Sequence, residues 1–453
     1  MVWHMKHYLD WSSYEAAGQG DAYAGIPAAG GDFARAVSVC IRDRLCERTP
    51  KGVMCPSFRA TGDEAHTPGA RVLALKAVLN GDMKAASFAD PNLAEAMSLC
   101  VGCKGCKREC ANQVDMAALK IEYQAQRNAC SGISMRDRLF AGLPHWLRYR
   151  QTVRRLIALR NASATLAGLG ERWLGISAKR RLPEPSLRAF SAPPPEQNEN
   201  AGERDVMLFV DTFSMHFEPE IAHAAHRVLT AAGYRVSWLQ PADGTSHALC
   251  CGRTYLSLGQ VAQARQEALR LHAALQPACA AGIPIIGLEP SCILSLRDDH
   301  LKLGLGEGAE RLAKQVYLLE EFIAREHDKK RFDVKFKALG RGRTLVHGHC
   351  HQKAVGAMKS LRKVLRLIPE FEFEFIEASC CGMAGSFGLE AEHADISMRM
   401  AQQDMLPALR AAPADATVLA NGFSCRHQIL DGASRKAVHV ALLLSDALAE
   451  PSC

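Results

Sequence analysis

The chain has 453 residues, 48% hydrophobic and 23% charged, with a mean hydropathy of -0.09. At about 100 to 200 residues per domain, this length predicts two to four domains and excludes a disulfide-stapled miniature, a largely disordered chain and a polytopic membrane protein. The net charge of +7 sits in one segment, because residues 136–181 hold eleven Lys or Arg against two acids, so the composition points to no nucleic-acid partner.

Residues 1–35 are rich in Gly and Ala and read as a loosely ordered lead-in without a secretion signal, which predicts a reducing cytoplasmic setting, free or on the inner membrane face. In that setting 17 clustered cysteines indicate metal or redox chemistry and not a disulfide framework. Residues 36–132 carry eight of them among short helical runs. Residues 133–185 form the basic segment. There Trp146, Tyr149, Val153 and Leu156 recur at helical spacing opposite the arginines, predicting one amphipathic helix started by Pro144. Such a helix is either a docking face for a partner or membrane, or a solvated face. Residues 186–205 read as a Pro-rich polar linker.

Beyond the linker, short apolar strands alternate with helices. The succession VMLFVD, a helix, YRVSWLQ, a long helix near 258–275 and IPIIGLE fills residues 206–343. It recurs in 344–453 as TLVHGHC, a helix, FEFEFIE, a helix and TVLANGFSC, an internal duplication of an α/β unit. Cys250-Cys251-Gly252 and Cys292 in one copy match Cys380-Cys381-Gly382 and Cys425 in the other, each after a predicted strand, where open α/β sheets bind ligands.

The run Cys100-x-x-Cys103-x-x-Cys106-x-x-x-Cys110 has bacterial 4Fe-4S spacing, with Gly105 relieving a Cβ clash in the loop. Cys40, Cys46 and Cys55-Pro56 supply a degenerate partner motif, with Asp43 where a middle cysteine is expected. Crossed ligation assigns Cys100, Cys103, Cys106 and Cys55 to one cluster and Cys40, Cys46 and Cys110 to a second. Asp43 by position or His66 by chemistry completes the second set, unless an iron is left open or missing. Cys130, Cys279 and Cys453 have no motif around them.

These motifs, with the segment Gly52–His66, HGHCHQKAV (347–355), CCGMAGSFG (380–388) and GFSCRHQI (422–429), resemble a known family. It is the iron–sulfur half or subunit of bacterial FAD-linked 2-hydroxyacid dehydrogenases of the D-lactate and D-2-hydroxyglutarate type. The glycolate oxidase iron–sulfur subunit and the heterodisulfide reductase B subunit are more distant relatives. The likeness covers residues 36–448 and departs from the pattern in the degenerate first motif and at Asn112. It implies an α+β multidomain fold, a helical two-cluster ferredoxin-like domain followed by a duplicated α/β cysteine-rich (CCG) domain.

It further implies two 4Fe-4S clusters and an FAD-binding dehydrogenase partner, since the 35 residues before the first motif are too few for a flavin domain. The chain would then be an electron-transfer subunit delivering to a quinone or another acceptor. Cys350, Cys380, Cys381 and Cys425 form a complete third set, for which the relatives imply a non-cubane 4Fe-4S cluster, with zinc or metal-free thiols as alternatives. Cys250, Cys251 and Cys292 are a weaker set, because Asp211–Ser214 holds no cysteine. His349 and His351 flank Cys350 as ligands, proton donors or local hydrogen-bonding groups, and Arg253, Lys353 and Arg426 are placed to offset thiolate charge. Two further readings are a heterodisulfide or thiol reductase acting through the CCG cysteines, and a metal-binding interaction module that moves no electrons.

Overall fold

A computed structural model describes residues 5–18, 25–48, 52–81, 88–193, 204–244 and 248–449. The expected linker falls partly outside these residues, as do the first and last few positions, Cys453 included. The lead-in is held more firmly than expected. Over residues 5–18, Leu9 and Trp11 are buried, and the backbone amides of Tyr8 and Leu9 and Trp11 Nε1 donate to the fully buried Glu122 carboxylate. Short helices follow, among them Pro56–Thr61, Pro68–Asn80, Pro91–Ser98 and Gly105–Glu109, then the longer Met116–Ser131. Proline at the first turn of three of them removes a donor that has no partner there.

The basic segment departs from the expected single helix. Pro144 opens only Leu143–Trp146, and a 3-10 turn, Leu147–Tyr149, rotates the chain before helix Arg150–Ala162 begins. The predicted apolar face is therefore not continuous: Trp146, Tyr149 and Leu156 are exposed, the last at 62%. Helix Arg150–Ala162 buries no residue, and the next helix, Ala164–Leu174, buries Ala167 alone. Much of the basic charge is spent internally. Arg136 pairs with Glu392, Lys179 with Asp395 and Arg180 with Asp431, while Arg160 donates to the carbonyls of Ser177 and Arg180.

The remainder forms two four-stranded parallel sheets, with β1 Arg204–Phe209, β2 Tyr234–Trp238, β3 Ile285–Gly287 and β4 Val316–Leu318 in the first. The second contains β5 Thr344–His347, β6 Phe373–Phe375, β7 Thr417–Ala420 and β8 Ala437–Val438. Their orders, β2-β1-β3-β4 and β6-β5-β7-β8, are the same. Central β3 and β5 are buried at every residue, as expected of parallel strands covered on both faces, whereas edge strand β6 turns Glu374 outward to Arg343. One apolar core runs through both sheets, joining Val206 and Leu208 to Val346 and Leu419. Helix Pro219–Ala231 packs on Val440–Asp446, and Leu319–Asp328 on Met358–Leu365. A second core joins the helical region to the first sheet's flank through Leu256, Val261 and Ala264.

Buried ion pairs fasten the cysteine run to that flank. Lys104 Nζ lies 2.8 Å from Asp298 and 2.9 Å from Asp299, Arg253 Nη1 lies 3.1 Å from Asp299, and Lys107 bridges Asp298 to Asp115. Burial alone would raise the three carboxyl pKa values. The adjacent cations, Lys104 for Asp298 and Asp299 and Lys302 for Asp115, outweigh it and hold all three below the usual range. The stabilisation is thus fully present above about pH 4 and fades only as pH falls through the depressed folded values. Lys104→Met leaves buried carboxylate short of a partner, at a cost of about 3 to 5 kcal/mol. Because the carboxyl pKa values then rise, the variant's melting temperature should be lowest at pH 8 and recover partly at pH 5. Wild type should show no such recovery in thermal denaturation across that interval.

Candidate functional site

Cys55 caps helix Pro56–Thr61; Cys100 and Cys103 lie on a loop that turns through positive φ at Gly102 and Lys104, and Cys106 follows in the first turn of helix Gly105–Glu109. All four are buried and line one small cavity. Gly105 matters through close approach: a Cβ there would lie 2.9 Å from the backbone of Val53 and Met54. The Glu109 carboxylate completes this clamp by accepting from the amides of Val53 (2.7 Å) and Met54 (2.9 Å). Opposite the sulfurs lies Arg71, only 1% exposed. Its Nη1 donates to Cys55 Sγ (3.5 Å), Nη2 to Ser57 Oγ (2.8 Å) and Nε to the Ala96 carbonyl (2.7 Å). Burial works against its charge, but Cys55 and Cys100 keep the guanidinium pKa above the usual value. Burial also pushes the Cys103 and Cys106 thiols well up. An isolated Arg in a helical stretch carries no sequence signal for such a role.

Cys40, Asp43, Cys46 and Cys110 line a neighbouring cavity of about 270 Å³, and Cys106 lines both. Arg42 and Arg44 take left-handed φ to bend the loop around it. The Gly69 amide, in the first turn of helix Pro68–Asn80, faces Cys46. His66 does not line this cavity. Its Nδ1 lies 3.2 Å from Thr61 Oγ1, and its carbonyl accepts from Cys55. Of the two candidate completing groups, Asp43 is the one the fold brings to the three thiols.

In both sheets strand order reverses between the two central strands, which leaves a crevice at their carboxyl ends. After β5, His349 caps helix Cys350–Ala354; after β7, Gly422 opens helix Phe423–Ala433, with Cys425 at its third position. After β1 the matching residues are Asp211 and Thr212, and after β3 they are Glu289 and Cys292. Thr212 therefore stands where the second sheet has Cys350. The glycine of each Cys-Cys-Gly has a steric reason. Gly252 and Gly382 have φ of 75° and 85°, and a Cβ would lie 2.8 Å from the Ala264 carbonyl oxygen and 2.3 Å from that of Ser397.

Cys381 Sγ accepts from the thiols of Cys380 and Cys425, which holds it well below the ordinary thiol range, and Cys380 also bonds Cys350. In the first sheet the pattern differs: Cys251 accepts from the Cys250 thiol but donates to Cys292, and its own pKa is pushed well up. Lys353 donates to the carbonyls of Ala378 and Ser379 beside all four sulfurs of the second set. Burial lowers its pKa, against the pull of Cys350 and its neighbours. Arg253 and Arg426, by contrast, are engaged with Asp299 and Glu218. His351 Nε2 meets the Gly102 carbonyl at 3.1 Å, so its ring is bonded to the Cys100–Cys106 loop. His349 Nδ1 accepts from the His351 amide as a helix cap. Cys250, Cys251, Cys292, Cys350, Cys380 and Cys381 all face one cavity of about 220 Å³ between the two sheets. Cys130 is exposed, and Cys279 is half-buried beside Gln315.

With this geometry in view, residues 36–114 match the 4Fe-4S dicluster domain family. The chain is 26% identical to the C subunit of the anaerobic glycerol-3-phosphate dehydrogenase of Escherichia coli over 54% of its own length and 59% of that protein. It is 24% identical to the D-2-hydroxyglutarate dehydrogenase of Pseudomonas putida over 90% of its length and 43% of the relative. Against the probable glycolate oxidase iron–sulfur subunit of Bacillus subtilis the figures are 26%, 87% and 91%. The matched region thus spans little more than half of the first relative and less than half of the second. No solved structure matches. The chain carries a 4Fe-4S dicluster domain and is similar to oxidoreductase subunits of the type its motifs implied.

The Cys-Cys-Gly turn yields a stability test. Gly385 also has positive φ but nothing within 4 Å, so Gly385→Ala should cost only the left-handed strain of about 1 to 2 kcal/mol. Gly382→Ala adds a backbone collision and should cost clearly more, read as a larger drop in thermal midpoint.

Proposed function

We propose that this chain is the iron–sulfur electron-transfer component of a FAD-linked 2-hydroxyacid dehydrogenase or a closely similar flavoprotein dehydrogenase. It takes electrons from a flavin on a partner chain and passes them to a quinone or another acceptor. The observation that carries this reading is the contiguity of three thiol sets. Cys106 lines the cavities of the first two, and the loops of the first and third are bonded through His351 to Gly102 and through Ser379 Oγ to the Val53 carbonyl. The two α/β halves, alike in strand order and in cysteine placement, are read as duplicated CCG units.

Cys55, Cys100, Cys103 and Cys106 would hold one 4Fe-4S cluster, and Cys40, Cys46 and Cys110 with Asp43 a second. Such clusters, when bound, take up and release single electrons. A third group would rest on Cys350, Cys380, Cys381 and Cys425, with Cys250, Cys251 and Cys292 as an incomplete counterpart. A four-thiolate zinc site, with bonds of about 2.3 Å, brings its sulfurs to about 3.8 Å of one another. Among the described residues no three of these sulfurs lie within 4.8 Å of each other, the four being linked pairwise by hydrogen bonds. The one such group found, Glu390, Glu392 and His393, is already met by Arg136.

No helix among the described residues is long and apolar enough to cross a membrane. The exposed Leu156, Leu159, Leu166 and Trp173 of the helix pair 150–174, with Arg148, Arg155 and Arg172 beside them, suit peripheral attachment to an anionic lipid surface. The Cys381 thiol, activated by two neighbouring thiols, favours thiol–disulfide chemistry as the second reading.

Two measurements test the first reading. Cys103→Ser should remove one EPR-detectable cluster and stop acceptor reduction, while the partner flavin is still reduced by substrate. Retention of every signal and of acceptor reduction overturns the assignment. Arg71→Gln withdraws a buried cation that favours the more negative, reduced cluster, so the midpoint potential in an EPR-monitored titration should fall. Arg71→Lys should preserve most of it.

A further inference from the structure

The three thiol sets are not equally placed. Their cavities follow one another, the second joined to the first by Cys106 and the first tied to the third by the bond from His351 to Gly102. The second and third sets are therefore the ends of the series. At the third end every sulfur is buried, and helix Arg150–Ala162 lies over the cavity through Ile157. At the second end Cys40, Cys46 and Cys110 are all half-buried, and no other thiol of the three sets is as exposed. Electron transfer between proteins needs close approach of the two redox groups, and the second end is where these sulfurs come nearest to solvent.

The surface around that opening has the make-up of a contact patch. Ile41 beside Cys40, Leu45 beside Cys46, and Leu73 one turn beyond Gly69 on helix Pro68–Asn80 are exposed at 54%, 37% and 37%. Among the described residues before position 130, no other large hydrophobic side chain is exposed. Their gathering at one opening marks a place to be covered by a partner. Charge surrounds them. The acids Glu47 and Glu64 are both taken up by Arg44, whereas the exposed Arg42 and Arg48 meet no acid among the described residues. An apolar centre with a basic edge fits an acidic protein surface, through steering at long range and contact at short range.

We infer that the rim of the second site, centred on Ile41, Leu45 and Leu73, is where an acidic flavoprotein docks to deliver electrons. The inference deepens the electron-transfer reading and rests on it for the purpose of docking, though docking itself is measured independently. One electron passes in each encounter: the donor's reduced flavin is oxidised by one electron, this chain is reduced by one, and no proton crosses between them. The probe is an acidic flavodoxin. Its oxidised form is titrated against the purified full chain loaded with iron and sulfide to read binding. Its fully reduced form is mixed with the same protein without oxygen to read the rate of cluster reduction.

Saturable binding and reduction by flavodoxin are expected, both weakening as salt rises. Ile41→Asp and Arg48→Glu should each weaken binding and slow reduction by about tenfold, while dithionite, which needs no docking, still reduces every EPR-detectable cluster. Arg48 does not line the cavity, so its variant reads docking apart from any effect on the thiols. Arg127→Glu reverses a likewise exposed charge on the cleft beside Cys100 and should change neither quantity by more than about twofold. Absence of saturable binding, unchanged binding in Arg48→Glu, or equal weakening by Arg127→Glu each overturns the inference. Clusters reducible by dithionite with a rim indifferent to substitution would defeat this proposal alone, whereas flavodoxin binding without reducible clusters would defeat the electron-transfer reading.

Discussion

A sulfur that must be anionic to hold metal is costly to take out of water, and most of the internal arrangement answers that cost. Burial pushes the Cys103 and Cys106 thiols up, and what the protein's own groups can offer in compensation is a buried cation or a donated hydrogen bond. Arg71 supplies both for the first set, fixed at three points so that its charge cannot swing away. Lys353 is held by carbonyls beside the second sheet's sulfurs, and there the thiols themselves complete the balance, Cys380 and Cys425 donating to Cys381. Each cation is itself buried; the sulfurs facing Arg71 outweigh that burial, whereas those around Lys353 only offset it in part.

The same constraint explains how the cysteine run is tied to the rest of the molecule. Lys104, between two of the sulfurs' backbone turns, points away from them to Asp298 and Asp299, and Arg253, next to a Cys-Cys-Gly, does the same. Positive groups near the thiol sets thus double as attachments between the helical region and the α/β half behind it. The glycines act in the opposite sense, by removing bulk. Gly105, Gly252 and Gly382 let backbone approach backbone to within contact, which sets how deeply each sulfur sits.

The basic segment takes a different course from the cysteine motifs. Its arginines are divided between internal carbonyls and acids on one side and solvent on the other, and Leu156, Leu159, Leu166, Leu169 and Trp173 face outward. A periodic pattern of apolar and basic residues is the same whether the apolar stripe meets a core or a lipid surface. The break at Leu147–Tyr149, set by packing of Pro144 and Leu147 into the fold, decided which way the stripe turned.

Spacing in the sequence determined the 4Fe-4S run, the degenerate partner motif and the repeated Cys-Cys-Gly, because those sulfurs are organised by turns of a few residues whose geometry is local. Alternation of apolar segments likewise announced two successive parallel units. Arg71 beside Cys55, Asp43 and not His66 beside Cys40, Thr212 in the place of Cys350, and one cavity shared by the sulfurs of both halves were decided only by tertiary packing. Each depends on which segments, often far apart in the chain, bury their apolar faces against one another, and that choice leaves no periodic trace in the residues it brings together.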